Sequence, residues 1–141
     1  VTEFRHCAFG SADFDACLAI RMEVFVAEQN VPEDEERDVF DETALHILAL
    51  VNGQPAGTAR AVAKAPGLIK IGRVAVRAAH RGTGLGAQLV RAAENAHPGM
   101  AFMLDAQLQA MNFYAKLGYV AHGPVFDDAG IPHRRMVKQP V

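Results

Sequence analysis

Cysteine is scarce in this sequence. The only two, Cys7 and Cys17, are ten residues apart with no Cys-x-x-Cys spacing, which excludes a disulfide framework and a thiolate zinc site. Both sit among apolar neighbours and read as small buried thiols. An excess of one charge is missing too. Fourteen Lys and Arg stand against sixteen Asp and Glu, a formal net charge of -2. A surface that reads phosphates needs a basic excess, so nucleic acid is not an expected partner. No apolar run is long enough to cross a membrane, and no basic-then-apolar leader opens the chain. The expected address is cytoplasmic, with no membrane partner and no metal. Repeats, low-complexity tracts and linkers are also absent. What remains is an ordinary globular composition, 50% apolar and 21% charged over 141 residues, enough for one domain with its own core.

The hydrophobic pattern sorts into alternating elements. Residues 2–8 suit an edge strand. Residues 11–28 read as a helix, with Ser11 as cap and Phe14, Cys17, Leu18 and Phe25 near one face; Arg21 shares that face. Residues 32–42 are strongly acidic and read as a solvated loop or short helix. Two apolar runs, 44–51 and 56–63, flank Asn52-Gly53, the strongest short hairpin signal because both central residues of that turn need positive φ. Pro66-Gly67 marks a second turn before a strand over 68–76. A helix follows over 84–97, ended by Pro98-Gly99. Then come a short strand over 101–104, a helix over 108–117 with Gly118 as C-cap, and strands over 119–122 and 131–137. The order β-α-βββ-α-β-α-ββ predicts an α/β sheet with helices packed on it.

The most informative stretch runs from Val74 to Gly86. It leaves a strand, passes a basic glycine-rich turn and enters an amphipathic helix. Gly82, Gly84 and Gly86 let the backbone turn tightly and leave no Cβ in a ligand's way. The helix start adds free N–H groups and the positive end of its dipole. Together they predict a nest for a phosphate or pyrophosphate, with Arg77, Arg81 and His80 adding charge nearby. A P-loop would need a Lys after its glycines, and a dinucleotide fold would need Gly-x-Gly-x-x-Gly in a parallel βαβ unit. Neither pattern is present.

The spacing Arg81-x-x-Gly84-x-Gly86 after an apolar strand resembles the coenzyme A pyrophosphate loop of the GNAT N-acetyltransferase superfamily. A second element, Asn112-Phe113-Tyr114-x-x-Leu117-Gly118-Tyr119, resembles the helix beside the pantetheine arm. Other pieces are similar to the ElaA-like branch: Arg21, Val24-Phe25-Val26, Glu28-Gln29, Asp41, His46, Gly72-Arg73-Val74-Ala75-Val76, Ala106-Gln107, Gly130-Ile131-Pro132-His133 and Met136. The resemblance covers nearly the whole length. It implies a single GNAT-like domain over 1–141, with a mixed, mostly antiparallel sheet of six to seven strands flanked by helices. It also implies transfer of an acetyl or other acyl group from acetyl-CoA to a primary amine, by direct attack in a ternary complex. The implied donor-binding residues are Val74, Ala75, Val76, Arg81, Gly82, Thr83, Gly84, Leu85, Gly86, Ala87, Asn112 and Tyr114. The acceptor would be a small-molecule or peptide amine. Many members dimerise, which makes a homodimer one expected assembly.

The chemistry has three needs. Backbone N–H groups near residues 74–76 would face the oxygen that gains charge. Tyr114 would protonate the leaving thiolate, since a phenol with a pKa of about 10 stays a donor at neutral pH; by itself, an aromatic there equally suits a core. The amine must lose a proton, which at pH 7 is disfavoured by roughly 4–5 kcal/mol. Some members use a central-strand glutamate, but no Asp or Glu lies between Lys64 and Gln88. His133 is the preferred base, with His46, Glu28 and Asp105 as alternatives. His133 also suits packing, His46 a core position, and Arg21 with Glu28 a structural ion pair. The acidic run at 33–36 borders the acceptor site in relatives and favours a cationic amine. A second reading of the same features is a non-catalytic acyl-CoA-binding or sensing module.

Overall fold

The computed structural model describes residues 1–140. Strand β1 (Thr2–Cys7) leads to helix α1 (Ala12–Arg21), which runs directly into a π-helical stretch (Met22–Glu28). A one-turn helix, α2 (Glu33–Glu36), and a 3₁₀ turn (Val39–Glu42) follow. Next come β2 (Leu45–Val51), β3 (Gln54–Ala65) and β4 (Leu68–Val76), then α3 (Leu85–Asn95), β5 (Ala101–Gln107), α4 (Met111–Lys116), β6 (Val120–Asp128) and β7 (Ile131–Lys138). The strands form one sheet in the order β1-β2-β3-β4-β5-β7-β6, antiparallel throughout except between β4 and β5.

Local chemistry explains the elements. Ser11 accepts a hydrogen bond from the Phe14 N–H at 3.1 Å and caps α1. Asn52 and Gly53 both take positive φ, 50° and 79°, as the β2–β3 turn requires. Strand alternation divides β2 between two cores: Leu48 and Leu50 face α1 with Phe14, Cys17 and Ile20, while Ile47 and Ala49 face α3 with Leu89 and Val90. Gly57 lets α3 press on β3, since a Cβ there would stand 2.8 Å from Leu89 Cδ1. Cys7 and Cys17 are buried free thiols with sulfurs 3.8 Å apart, and burial pushes the Cys7 thiol up to about 12.

The sheet is interrupted where it matters. Leu68, Ile69 and Lys70 pair with Ala101, Phe102 and Met103, and there the parallel ladder stops. On the other side of β4, Thr58 opposes Ala75 but Arg60 opposes Gly72. One extra residue therefore sits in β4, a bulge that bends the strand away from β5. Arg73, within the bulge, has φ 49°, a left-handed conformation that costs a non-glycine residue about 1–3 kcal/mol.

Three expectations shift. The helix expected over 11–28 changes winding after Arg21 instead of staying α. The strand expected to stop at Leu104 runs on to Gln107, because Asp105 finds Arg135 opposite it on β7. The strand expected over 119–122 extends to Asp128, but nearly all its side chains are exposed, so its apolar residues show no buried alternation. Arg21 is not paired with Glu28. It is 1% exposed and donates to Glu36 Oε2 and Asp41 Oδ1, both at 2.8 Å, and to the Glu36 carbonyl at 2.7 Å. Arg60 adds a bond to Asp41 at 3.0 Å. Burial alone would raise the Asp41 pKa, but the bonds and charges of Arg21 and Arg60 prevail and hold it down at about 2, against an ordinary 3.8.

A folded-state pKa below the unfolded one stabilises above the unfolded value and is lost as pH falls through the folded one. Asp41 should therefore contribute roughly 2 kcal/mol above pH 4, lost between about pH 4 and 2. Urea unfolding of Asp41→Asn should show a loss of about 3 kcal/mol or more at pH 7, where Arg21 loses a buried partner. Its stability should also vary less with pH in the acid window; an unchanged acid slope would assign that slope to other carboxylates.

Candidate active site

A cleft of about 1220 Å³ opens where β4 and β5 part. From Ile71 onward, β4 has no strand partner on its β5 side, so backbone groups on that edge open into the cleft beside Val74, Ala75 and Val76. The cleft is closed at one end by the turn into α3, and at the other by α2 and the β6–β7 turn. Across the gap, Gln107 donates to Gln29 at 2.8 Å and laces the end of β5 to the end of the π-helical stretch.

The turn into α3 leaves its backbone N–H groups free. Gly82 and Gly84 have φ 77° and 85°, and a Cβ on either would meet nothing within 4 Å. The first intrahelical bond is Gln88 N–H to the Gly84 carbonyl, 3.2 Å. The N–H groups before it have no helical acceptor, and no side chain caps this end. Thr83, the one hydroxyl available, donates instead to the His80 carbonyl at 2.6 Å. Arg81, Gly82, Gly84, Leu85 and Gly86 line the cleft, whereas Thr83, Ala87 and Asn112 do not. Gly86 admits the ring of Phe113, whose Cζ would lie 3.3 Å from a Cβ at that position.

Both arginines of this turn are already engaged, while His80 lines the cleft. Arg77 donates to Glu23 at 3.2 and 3.1 Å. Arg81 donates to the Val76 carbonyl at 2.9 Å and to the Glu28 carboxylate. Glu23 and Glu28 are five residues apart, the repeat that stacks residues in π winding, so one face of that stretch clips the turn twice. The positive potential at the helix start therefore comes mainly from backbone.

Tyr114 is half-buried on α4 and lines the same cleft. Its ring meets Phe113 and Tyr119 edge-on, at 4.9 and 6.0 Å. Its hydroxyl has no hydrogen-bond partner among the described residues, and burial pushes its pKa up to about 12. Tyr119, by contrast, donates to Glu94 at 2.7 Å.

His133 lies on β7, opposite Gln107 on β5, with 9% of its surface exposed. Its Nδ1 is 2.7 Å from the Ile131 carbonyl. A carbonyl only accepts, so Nδ1 carries the proton and Nε2 keeps its lone pair. The ring stacks on Phe126 at 6.0 Å. The three alternative bases are placed less well. His46 is buried on β2, away from the cleft lining, and donates Nε2–H to the Asp41 carbonyl at 2.8 Å; burial lowers its pKa. Glu28 is held by Arg81. Asp105 is held by Arg135 at 3.1 Å and Lys70 at 3.2 Å; burial opposes these bonds, yet its pKa falls.

The arrangement brings an uncapped helix start, a phenol donor and an imidazole acceptor onto one cleft. The bond from Gln107 to Gln29 and the anchoring of Arg73 were not expected from sequence. A glycine inside a strand, Gly72, was the available signal for the bulge.

The chain is similar to several known proteins. Residues 12–140 match the family described as Acetyltransferase (GNAT) domain. The uncharacterized N-acetyltransferase YjcF of Bacillus subtilis is 42% identical over 123 residues, covering 84% of this chain and 87% of that protein. The crystal structure of Escherichia coli ElaA superposes with a TM-score of 0.85 at 30% identity, covering 99% of this chain and 100% of that one. An acyl-CoA N-acyltransferase from Pseudomonas aeruginosa gives a TM-score of 0.85 at 31% identity, covering 98% and 99%. The chain belongs to the GNAT acetyltransferase family, in the branch that includes ElaA.

Proposed function

We propose that this protein moves an acetyl or similar acyl group from acetyl-CoA to a primary amine, by direct attack of the amine in a ternary complex. One observation carries the reading: the uncapped start of α3 and the partnerless Tyr114 hydroxyl open onto the same cleft. The helix start and its glycines would bind the pyrophosphate of the donor, and the open edge of β4 would run beside the pantetheine arm. The thioester oxygen would meet backbone N–H groups at residues 74–76 as it gains charge. Tyr114 would donate to the sulfur as the carbon–sulfur bond breaks, and its raised pKa keeps the phenol protonated at neutral pH. His133 Nε2 would take the amine proton, directly or through water, from the β7 side. A binding or sensing module would need the helix start but not the phenol donor.

Acetyl-CoA at about 100 times its Kd should stabilise the protein by roughly 2.7 kcal/mol in thermal unfolding. Gly84→Asp should lose that shift, because it places a carboxylate where the phosphates would sit. A folded Gly84→Asp protein with the full shift would move the donor elsewhere.

Tyr114→Phe keeps the ring and its edge contacts and deletes the donor. With any amine that wild type acylates, kcat should fall by about 10²–10⁴-fold while the donor KM changes little. Wild-type turnover by this variant would remove Tyr114 from the mechanism. Tight acetyl-CoA binding by wild type with no turnover of any amine would favour the sensing module.

His133→Ala should lower kcat/KM by about 10²-fold and change the shape of its pH profile. An unchanged profile would assign His133 to packing against Phe126.

A further inference from the structure

The bulge in β4 raises a question of its own. An arginine, not a glycine, occupies the left-handed position, φ 49°. That conformation is unfavourable for any residue with a Cβ, and here it coincides with a side chain held at several points. The Arg73 guanidinium is gripped from one direction only. Nε lies 2.9 Å from Glu36 Oε2, and Nη2 donates to the Glu36 carbonyl at 3.2 Å and to Asp38 Oδ2 at 3.3 Å. Glu36 is itself 3% exposed and fixed by Arg21, and Asp38 is fixed by Arg60 at 2.6 Å. The clamp is therefore rigid on the side away from the strand.

We propose that Arg73 is a positioning residue for acyl transfer: its side-chain clamp to Glu36 and Asp38 holds the β4 bulge in the conformation that turns the backbone N–H groups of residues 74–76 toward the thioester oxygen. The inference rests on the donor reading given above. It follows from the geometry because the bulge and the end of β4–β5 pairing lie within three residues of each other, Lys70 to Arg73. A β4 without the extra residue would be free to continue its ladder with β5 and to keep those N–H groups paired. Arg73 lines the cleft, but its donors point to the clamp, so it acts through the backbone. Asp34 and Glu35, on the same short segment as Glu36, also line the cleft. A displacement of that segment would reach the oxygen-binding groups through the same guanidinium.

The test needs no known acceptor. Isotope-edited infrared spectra of [1-¹³C]acetyl-CoA report how strongly the bound carbonyl is polarised, and calorimetry reports the donor Kd. Wild type should bind the donor and lower its carbonyl stretch relative to free acetyl-CoA. Arg73→Ala removes the clamp and keeps the strain of the left-handed backbone. It should bind the donor with a Kd within about threefold, lose most of the carbonyl shift, and lower kcat by about 10–10³-fold with any amine that wild type acylates. Arg73→Lys, with one charge but no fork, should fall between. A full carbonyl shift and wild-type kcat in Arg73→Ala would overturn the proposal. If Arg73→Ala does not fold, Arg73→Lys decides: a reduced shift supports the clamp and a full one overturns it. Absence of acetyl-CoA binding by wild type would instead overturn the donor reading, and this inference with it.

Discussion

Parallel pairing between β4 and β5 ends after three residues, and most of this molecule serves that interruption. Two neighbouring strands of one sheet would ordinarily close on each other, because an open edge leaves backbone donors and acceptors without partners. Here the separation is maintained from several sides. The bulge at Arg73 bends β4, the pairing of Asp105 with Arg135 keeps β5 committed to β7, and the bond from Gln107 to Gln29 spans the open end. Behind the bulge, Arg21, Arg60 and Arg73 meet Glu36, Asp38 and Asp41 in a buried network. A buried ion network of this kind adds little net stability and in some proteins fixes geometry instead. Glu36, Asp38 and Arg73 also line the cleft, which suits the second role.

Charge is arranged economically at the turn into α3. Arg77 and Arg81 are each matched by a carboxylate of the π-helical stretch, so they add little free charge. The free N–H groups of this turn have directions fixed by the backbone, and binding an anion there would need no reorganisation. The two tyrosines follow a similar division. Tyr119 spends its hydroxyl on Glu94 and serves the core, while Tyr114 keeps its hydroxyl free at the cleft.

Much of the fold was legible because it depends on short-range chemistry. Asn52-Gly53 fixes a turn by its own dihedral needs, Gly82 and Gly84 announce a left-handed path into a helix, and alternation in 44–51 announces a two-sided strand. The family resemblance pointed to Tyr114, whereas His133 was reached from the missing central-strand acid and its place in Gly-Ile-Pro-His, and no local pattern joins the two. What escaped depends on long-range partners. The winding change after Arg21 has no signature in apolar spacing, and Arg21 could not reveal that its partners lie fifteen and twenty residues ahead. The far half of β6 carries almost no buried side chains, so its strand character comes from pairing with β7 alone.

The π-helical stretch has a consequence for chain length. Glu23 and Glu28 share a side because i and i+5 are neighbours in that winding, while Arg77 and Arg81, their partners, stand four apart. In α winding the neighbouring position is i+4. Deleting one residue between the two glutamates would let the segment rewind as an ordinary α-helix with both carboxylates still on one side. A chain one residue shorter here could therefore keep the same two contacts to the turn.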